Sequence, residues 1–196
     1  MSRLVITGFS KYPAVKEEER LWQEIKEEKL FIFPSKDRFI TWKFKRWAQE
    51  DPLAKNEFTQ LVFQNVENAL QMAKWPGLSK PSTEYGLILA TYNGSAEAQV
   101  KFYQDVHQEN IQYFNPKLFP EIYFNSVLNK LACKIKFRGF CQIIWDKAHS
   151  VENLLSLAIQ AITYHSQKGC LIIVAEESSV EFGGAVVFIE KEKNIQ

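Results

Sequence analysis

The sequence contains few cysteines, methionines, glycines and prolines. Their numbers are three, two, eight and seven among 196 residues. The cysteines, Cys133, Cys141 and Cys170, are odd in number and lie in apolar stretches, which argues against a disulfide scaffold and favours reduced thiols in a cytoplasm. Their spacing fits no metal site. We therefore expect a cytoplasmic protein with no bound metal and no cofactor.

Long apolar runs are also missing. No stretch approaches the roughly 18 apolar residues of a membrane-spanning helix, and the opening MSRLVITGF is too short for the apolar core of a signal peptide. The charge is nearly balanced, because 24 basic and 23 acidic residues give a net charge of +1. This balance gives no general attraction to nucleic acid or to an acidic membrane surface, and we expect neither as a partner.

The composition that remains is that of a globular protein. The chain is 46% apolar and 14% aromatic, which is enough for a packed core. We find no internal repeat and no linker. The expected organisation is therefore one domain over residues 1–196.

One segment, from Lys36 to Trp47, departs from the even charge distribution by alternating basic and aromatic side chains. Such a segment can bind single-stranded nucleic acid through stacking and phosphate contacts, or it can dock an acidic protein. The interpretation we favour is an amphipathic surface segment that packs its rings inward. Its basic residues are Lys36, Arg38, Lys43, Lys45 and Arg46.

The first part of the chain predicts two buried strands and three helices, the first of which is a charged surface helix over 16–29. Leu4 to Phe9 is an apolar run in which Gly8 suggests a close approach to another element, and Pro52 to Trp75 has one-faced helical spacing. Tyr85 to Thr91 predicts a second buried strand. The turn Asn93-Gly94-Ser95 then leads into a helix over 96–106; such a turn can hold a phosphate, but a single glycine favours an ordinary strand-to-helix turn.

The stretch from Asn125 to Ala175 is the most informative. Its pattern predicts a helix over 126–135, a strand over 140–145, a second helix from Val151 that ends by Gly169, and a strand over 170–175. The second helix is apolar on most sides, which predicts a buried helix. A Gly-Gly turn and a last strand follow, and the short loop before that strand makes it antiparallel to its predecessor.

This order of elements predicts an α/β fold. The expected architecture is a layered domain in which helices cover a five-stranded, mainly parallel mixed sheet.

Several segments, in their order and spacing, resemble the N-terminal half of the β-ketoacyl synthases, which is a single half of the thiolase fold. They are VITGF, ENALQMA, GLILAT, FNSVLNKLACKIKFRG and FGGAVVFIE. The resemblance implies that the turn after strand 140–145 corresponds to the turn that presents the family's nucleophilic Cys. Ungapped counting from Asn125 places Ala148 at that position, and a slip of one residue places His149 there.

Neither residue can replace a thiolate that both attacks and leaves, so the resemblance implies a degenerate synthase. We interpret His149 as a polar turn or interface residue. The two catalytic histidines of the family belong to its second half, and none of the chain's histidines, His107, His149 and His165, has a matching context. The expected protein is thus not an enzyme.

Within this family the chain is similar to chain-length factors of type II polyketide systems and to the half-size companions of aryl polyene ketosynthases. The resemblance implies a full-length ketosynthase as partner, with acyl carrier protein involved indirectly through the basic segment. It implies pairing through Phe140, Gln142, Ile143, Ile144 and Trp145. It also implies that the partner's acyl tunnel is closed by residues of 115–124, with Lys117, Leu118 and Phe119 as candidates.

Two rival functions stay open. One is a small stand-alone acyl-thioester hydrolase or transferase that uses His149 with Ser150 or Cys141. The other is a module that binds carrier protein or nucleic acid through Lys36 to Trp47.

Overall fold

The structure is a computed structural model that describes residues 4–12, 53–54, 56–108, 119–145, 151–177 and 182–192. The predicted order of strands and helices is confirmed over these residues. The strands are β1 (Leu4–Tyr12), β2 (Tyr85–Thr91), β3 (Cys141–Trp145), β4 (Gly169–Glu177) and β5 (Phe182–Lys191). The helices are α1 (Glu57–Met72), α2 (Ala96–Gln108), α3 (Phe124–Ile135) and α4 (Val151–Tyr164), with a 3-10 helix at Phe119–Ile122.

The described strands form one mixed sheet in the order β1-β5-β4-β2-β3. Strand β2 is parallel to both β3 and β4, and β5 is antiparallel to both β4 and β1. The five-stranded mixed sheet and the antiparallel final pair are therefore as predicted. The arrangement brings the carboxyl ends of β2, β3 and β4 to one edge of the sheet.

Helices cover both faces of the sheet. Alternate residues of a strand point to opposite faces, and Leu87 and Leu89 of β2 pack into one core with α1 and α3. Ile88 and Ala90 pack into a second core with α4. The molecule thus has three layers, and β2 is buried on both sides.

Helix α4 differs from its prediction. One stripe of it, including Leu154, Ala158 and Ile162, is buried against the sheet, but Ile159 is 44% exposed in the described structure. The prediction of a helix buried on most sides was therefore wrong at Ile159. The helix ends at Tyr164, before Gly169 as predicted, and Gly169 is the first residue of β4.

The Gly-Gly pair belongs to a strand rather than to a turn. Gly184 lies within β5 and pairs with Tyr12 on one side and Ala175 on the other. A Cβ at Gly184 would lie 2.9 Å from the Val174 carbonyl oxygen. The absence of a side chain therefore permits close strand packing, which the dipeptide alone did not distinguish from a turn.

None of the helices in the described segments combines the length and the hydropathy that crossing a bilayer requires.

Gly8 confirms the predicted close approach. The register between β1 and β5 shifts between Ile6 and Gly8, and the shifted backbone lies directly under α1. A Cβ at Gly8 would be 2.0 Å from the Ala69 carbonyl oxygen and 3.1 Å from the Ala73 Cβ. Because the nearest atom belongs to helix backbone, the helix itself would have to move.

We predict that Gly8→Ala lowers the free energy of unfolding by about 3 kcal/mol, since forcing extra volume into a packed region costs 1–3 kcal/mol or more. The comparison is Gly77→Ala, where no atom lies within 4 Å of the new Cβ and only the positive φ of 77° opposes the change. That variant should lose about 1 kcal/mol. Urea denaturation of both variants measures the difference, and equal losses would contradict the packing argument.

A buried amide joins the starting ends of the parallel strands. Gln167 donates from Nε2 to the carbonyls of Thr83 and His165, both at 3.0 Å, and its Oε1 accepts the Phe140 N–H at 3.2 Å. A Cβ at Gly139 would lie 1.9 Å from that Oε1. One side chain therefore satisfies backbone groups next to β2, β3 and α4, and glycine at 139 leaves it the space to do so.

A carboxyl group is buried near the same end of the sheet. Glu190 is 6% exposed, and its Oε2 accepts a hydrogen bond from the Thr7 hydroxyl at 2.8 Å. Burial raises the pKa of Glu190 above its ordinary value, and the Thr7 hydrogen bond opposes this rise. Together with burial of the Tyr85 ring, the charge of Glu190 also raises the pKa of Tyr85. Ionised Glu190 is therefore unfavourable in the folded protein.

We predict that Glu190→Gln stabilises the protein at neutral pH but not at pH 4. As the pH rises, the unfolded chain loses this proton first, at the ordinary carboxyl pKa of about 4.3, whereas the folded chain retains it. The wild type therefore loses stability as the pH rises through the window up to the folded pKa. Melting temperatures from pH 4 to pH 7.5 measure this, with half-exposed Glu84→Gln as control. A constant difference between wild type and Glu190→Gln would contradict it.

Candidate functional site

The carboxyl ends of β2, β3 and β4 form the candidate site. In open α/β sheets, ligands bind outside the carboxyl ends of the parallel strands. Here β2 ends at Thr91, β3 at Trp145 and β4 at Glu177, and residues 92–95 join β2 to α2. A ligand of this fold is therefore expected at the loop 92–95 and at the carboxyl ends of these strands.

A carboxylate of the chain itself occupies the loop. Glu176 accepts the Tyr92 N–H on Oε1 at 2.5 Å and the Asn93 N–H on Oε2 at 2.9 Å. Two successive N–H groups at a strand-to-helix turn are the groups that bind phosphate in other folds. Because Glu176 already accepts both, the turn is an ordinary strand-to-helix turn in this structure, as favoured from the sequence.

A buried side chain at the end of β2 fixes the rest of the loop. The fully buried Thr91 accepts the Gly94 N–H on Oγ1 at 2.8 Å. Gly94 has a φ of 57°, in the left-handed region that glycine adopts readily. The backbone of the loop is thus held by one side chain from its own strand and one from β4.

Two exposed aromatic rings lie on this loop and on the end of β3. The Trp145 indole N–H donates to the Tyr92 carbonyl oxygen at 2.7 Å, and the two rings stack with centroids 6.5 Å apart at 17°. Trp145 is 67% exposed and Tyr92 is 42% exposed. We call Tyr92 and Trp145 the aromatic pair. It combines a defined geometry with large apolar area facing solvent.

Strand β3, which carries the predicted pairing residues, is an edge strand. Within the described strands it pairs only with β2. The Leu87 N–H donates to the Phe140 carbonyl oxygen at 2.7 Å, in a register that places Leu87 opposite Cys141. In a parallel ladder this alternation directs the N–H and C=O groups of Cys141 and Ile143 away from β2.

The side chains of the predicted pairing residues have different surroundings. Phe140 precedes β3 and stacks on His165, with centroids 5.4 Å apart. Gln142 is exposed. Ile143 and Ile144 are half-buried against the two opposite cores. The strand therefore offers a partner its outer backbone edge and the exposed side chains at its two ends.

Of the predicted tunnel-closing residues, Phe119 lies within the described structure. It begins the 3-10 helix, is exposed, and contacts Tyr123 at 4.9 Å and Phe102 at 6.2 Å between ring centroids. Lys117 and Leu118 lie outside the described residues. Whether these residues close a tunnel stays a prediction.

Similarity by sequence identifies no relative, because no protein-family model matches the chain and no curated protein matches it. Solved structures do match. A ketosynthase in complex with its chain length factor from Xenorhabdus doucetiae aligns with a TM-score of 0.62 at 13% identity, over 97% of this chain and 79% of that one. The ishigamide ketosynthase/chain length factor aligns with a TM-score of 0.69 at 15% identity, over 97% of this chain and 63% of that one.

A third match is a complex of a type II polyketide acyl carrier protein with its ketosynthase, with a TM-score of 0.75 at 14% identity. It covers 98% of this chain and 63% of the other. The chain has a ketosynthase-like fold. The predicted resemblance is confirmed at the level of the fold, and this chain spans less than two thirds of the second and third of these proteins.

The resemblance stated from the sequence places the position of the family's nucleophile among residues 146–150, between β3 and α4. Ala148 and His149, with Ser150, lie outside the described residues, as do Lys36, Arg38, Lys43, Lys45 and Arg46. The roles assigned to them from the sequence stay predictions.

The two thiols of the parallel strands differ in exposure, because Cys141 is exposed and Cys170 is buried. Partial burial raises the pKa of Cys141, at the start of β3, and burial raises the pKa of Cys170 to about 12. A thiol with a raised pKa forms little thiolate at neutral pH.

Among the described residues, no three His, Cys, Asp or Glu side chains converge to hold a metal ion.

Sequence reasoning missed Glu176, Gln167 and Thr91. Their hydrogen bonds to Tyr92 and Thr83 span 84 residues in the first two cases, and no periodicity reports such contacts. One signal was present for Glu176, since it is an acidic residue at the carboxyl end of an apolar strand. Such a residue is positioned to accept N–H groups from a turn on the neighbouring strand.

We predict that Thr91→Val lowers the free energy of unfolding by about 1–3 kcal/mol, because the buried Gly94 N–H loses its acceptor without a change in side-chain volume. Thr91→Ser is the matched control, since it keeps the hydroxyl and removes only a methyl group. Chemical denaturation gives the free energies, and amide exchange at Gly94 should accelerate in Thr91→Val alone. Equal exchange in both variants would show that the hydroxyl does not hold the loop.

Proposed function

We propose that this chain is a non-catalytic, chain-length-factor-like subunit that pairs with a full-length β-ketoacyl synthase and shapes its acyl tunnel. The pathway would be aryl polyene, polyketide or fatty-acid-type chain elongation. The observation that carries the proposal is an edge strand, β3, that pairs only with β2 among the described strands of a ketosynthase-like fold, where two of the similar structures are ketosynthases with chain length factors.

Pairing through β3 is supported by its backbone. The N–H and C=O groups of Cys141 and Ile143 point away from β2, and a strand added there would satisfy them, as in other complexes that extend a sheet. An apolar edge strand left open is an aggregation hazard. A permanent partner removes that hazard, and obligate interfaces of this kind bury roughly 2,000 Å² or more.

The absence of catalysis is supported by the chemistry of the residues near the turn. Ala148 has no nucleophilic group, and a cationic His149 would be unfavourable at a helix N-terminus. The condensing activity would therefore belong to the partner.

The tunnel-shaping role is proposed for Lys117, Leu118 and Phe119. Phe119 is exposed and rests on Tyr123 and Phe102, so its ring is available to fill space in a neighbouring subunit. A bulky side chain there would limit the length of the growing chain. Carrier protein would then meet the complex through the basic segment Lys36–Trp47, and the proposal treats residues 1–196 as one synthase-like half.

Co-expression with each ketosynthase encoded beside this chain tests the proposal. We expect a stable heterodimer by size-exclusion chromatography and light scattering, condensing activity in the complex, and no acyl-thioester turnover by the chain alone. A chain that stays unpaired beside every such synthase contradicts the proposal. Turnover by the isolated chain that is lost in His149→Ala would instead favour the hydrolase.

We predict that Cys141→Pro weakens the heterodimer at least tenfold, which corresponds to about 1.4 kcal/mol. Proline at the first residue of an edge strand is tolerated, and it removes an N–H that points away from β2. The matched control is Cys141→Ala, which loses the thiol and keeps the N–H. Titration calorimetry measures both affinities, with melting temperatures to verify that each variant folds. Equal affinities would mean that the partner does not pair along β3.

A further inference from the structure

We infer that Glu176 is a positioning residue for subunit pairing, because its carboxylate holds the aromatic pair, Tyr92 and Trp145, as the anchor for the partner at the end of β3. This inference rests on the proposed function and specifies which residues determine the affinity.

The contacts run across three strands. Glu176 lies on β4, and its two carboxylate oxygens hold the N–H groups of Tyr92 and Asn93, which follow β2. The Tyr92 carbonyl then accepts the indole N–H of Trp145, the last residue of β3. Hydrogen bonds to an ionised carboxylate are about twice as strong as neutral ones. The edge strand is therefore connected through the loop to β4, although β4 and β3 are not neighbours in the sheet.

The aromatic pair has the properties of a binding anchor. Trp and Tyr dominate the energetically important positions of protein interfaces, and a buried Trp contributes about 150–250 Å² of area. Trp145 is more than half exposed, yet its indole N–H bonds to the Tyr92 carbonyl and its ring stacks on the Tyr92 ring. A ring that is already fixed loses little conformational freedom on binding, so more of its burial contributes to affinity.

The occupant we assign is an edge strand of the partner ketosynthase. The outward backbone groups of Cys141 and Ile143 continue directly to Trp145 along β3, so a strand that pairs with them must also pass the aromatic pair. A helix would leave those backbone groups unsatisfied. The partner strand should therefore carry an apolar or aromatic side chain opposite Trp145.

A double-mutant cycle tests the role of Glu176. The affinity of the heterodimer is measured for the wild type, Glu176→Gln, Trp145→Ala and the double variant. We expect a loss of roughly tenfold for Glu176→Gln and at least roughly thirtyfold for Trp145→Ala. In the Trp145→Ala background, Glu176→Gln should add less than twofold, because Glu176 acts through the ring. The control is Glu84→Gln, whose carboxylate pairs with Lys168 at the opposite end of β2 and should not alter affinity.

A spectroscopic measurement separates positioning from general stability. In protein labelled with fluorotryptophan, the Trp145 fluorine resonance, assigned by its loss in Trp145→Phe, should shift and broaden in Glu176→Gln. The same resonance should be unchanged in Glu84→Gln. Trp145→Phe keeps an apolar ring but removes the N–H that bonds to Tyr92, and it should weaken pairing roughly tenfold. Because Trp145 is exposed, the Trp145→Phe variant tests the role of the ring in pairing even if Glu176→Gln does not fold.

The outcomes distinguish this inference from the proposed function. If the wild-type chain pairs with no ketosynthase, the proposed function fails and the inference fails with it. If the wild type pairs but Trp145→Ala and Trp145→Phe bind as tightly as wild type, the inference alone is overturned. Full additivity of Glu176→Gln and Trp145→Ala also overturns it, because Glu176 would then act independently of the ring.

Discussion

The register of the parallel strands depends on one buried amide. Gln167 satisfies backbone groups beside β2, β3 and α4 at once, and a buried amide of this kind is costly to leave half satisfied. Since strands of fixed register end at fixed positions, the contact at their starting ends determines that Trp145 lies opposite Thr91 at their carboxyl ends. The geometry of the candidate site, at the carboxyl ends of the strands, therefore depends on a contact at their starting ends.

The two ends of these strands use different chemistry for the same task. A neutral amide can both donate and accept, which suits the start of the sheet, where Gln167 meets carbonyls and an N–H group. Glu176 only accepts, which suits a turn whose successive N–H groups point at one place. In both cases a side chain makes hydrogen bonds to backbone groups that lie beyond the end of the β ladder. Side-chain hydrogen bonds thus hold the backbone at both ends of the parallel strands, and the aromatic pair lies at their carboxyl ends.

Much of the fold was predictable because its elements carry local patterns. Strand β2 is fully apolar and α3 has a clear apolar stripe, so both were found close to their observed bounds. The apolar character of α4 was visible too, but the exposure of Ile159 was not, since a pattern shows which faces are apolar and not whether anything covers them. Glu176 and Gln167 act across 84 residues, and partners so distant leave no periodic signal. The edge position of β3 likewise depends on strand order, which the sequence restricts but does not determine.

The strand order also affects how the chain folds during synthesis. Strand β1 precedes the other described strands along the chain, but its neighbour in the sheet is β5, and the Thr7 hydroxyl lies 3.4 Å from the Phe188 carbonyl, 181 positions later. A nascent chain therefore carries an apolar strand whose sheet neighbour is absent until β5 has been made. Long-range strand pairing of this kind folds slowly and is exposed to aggregation.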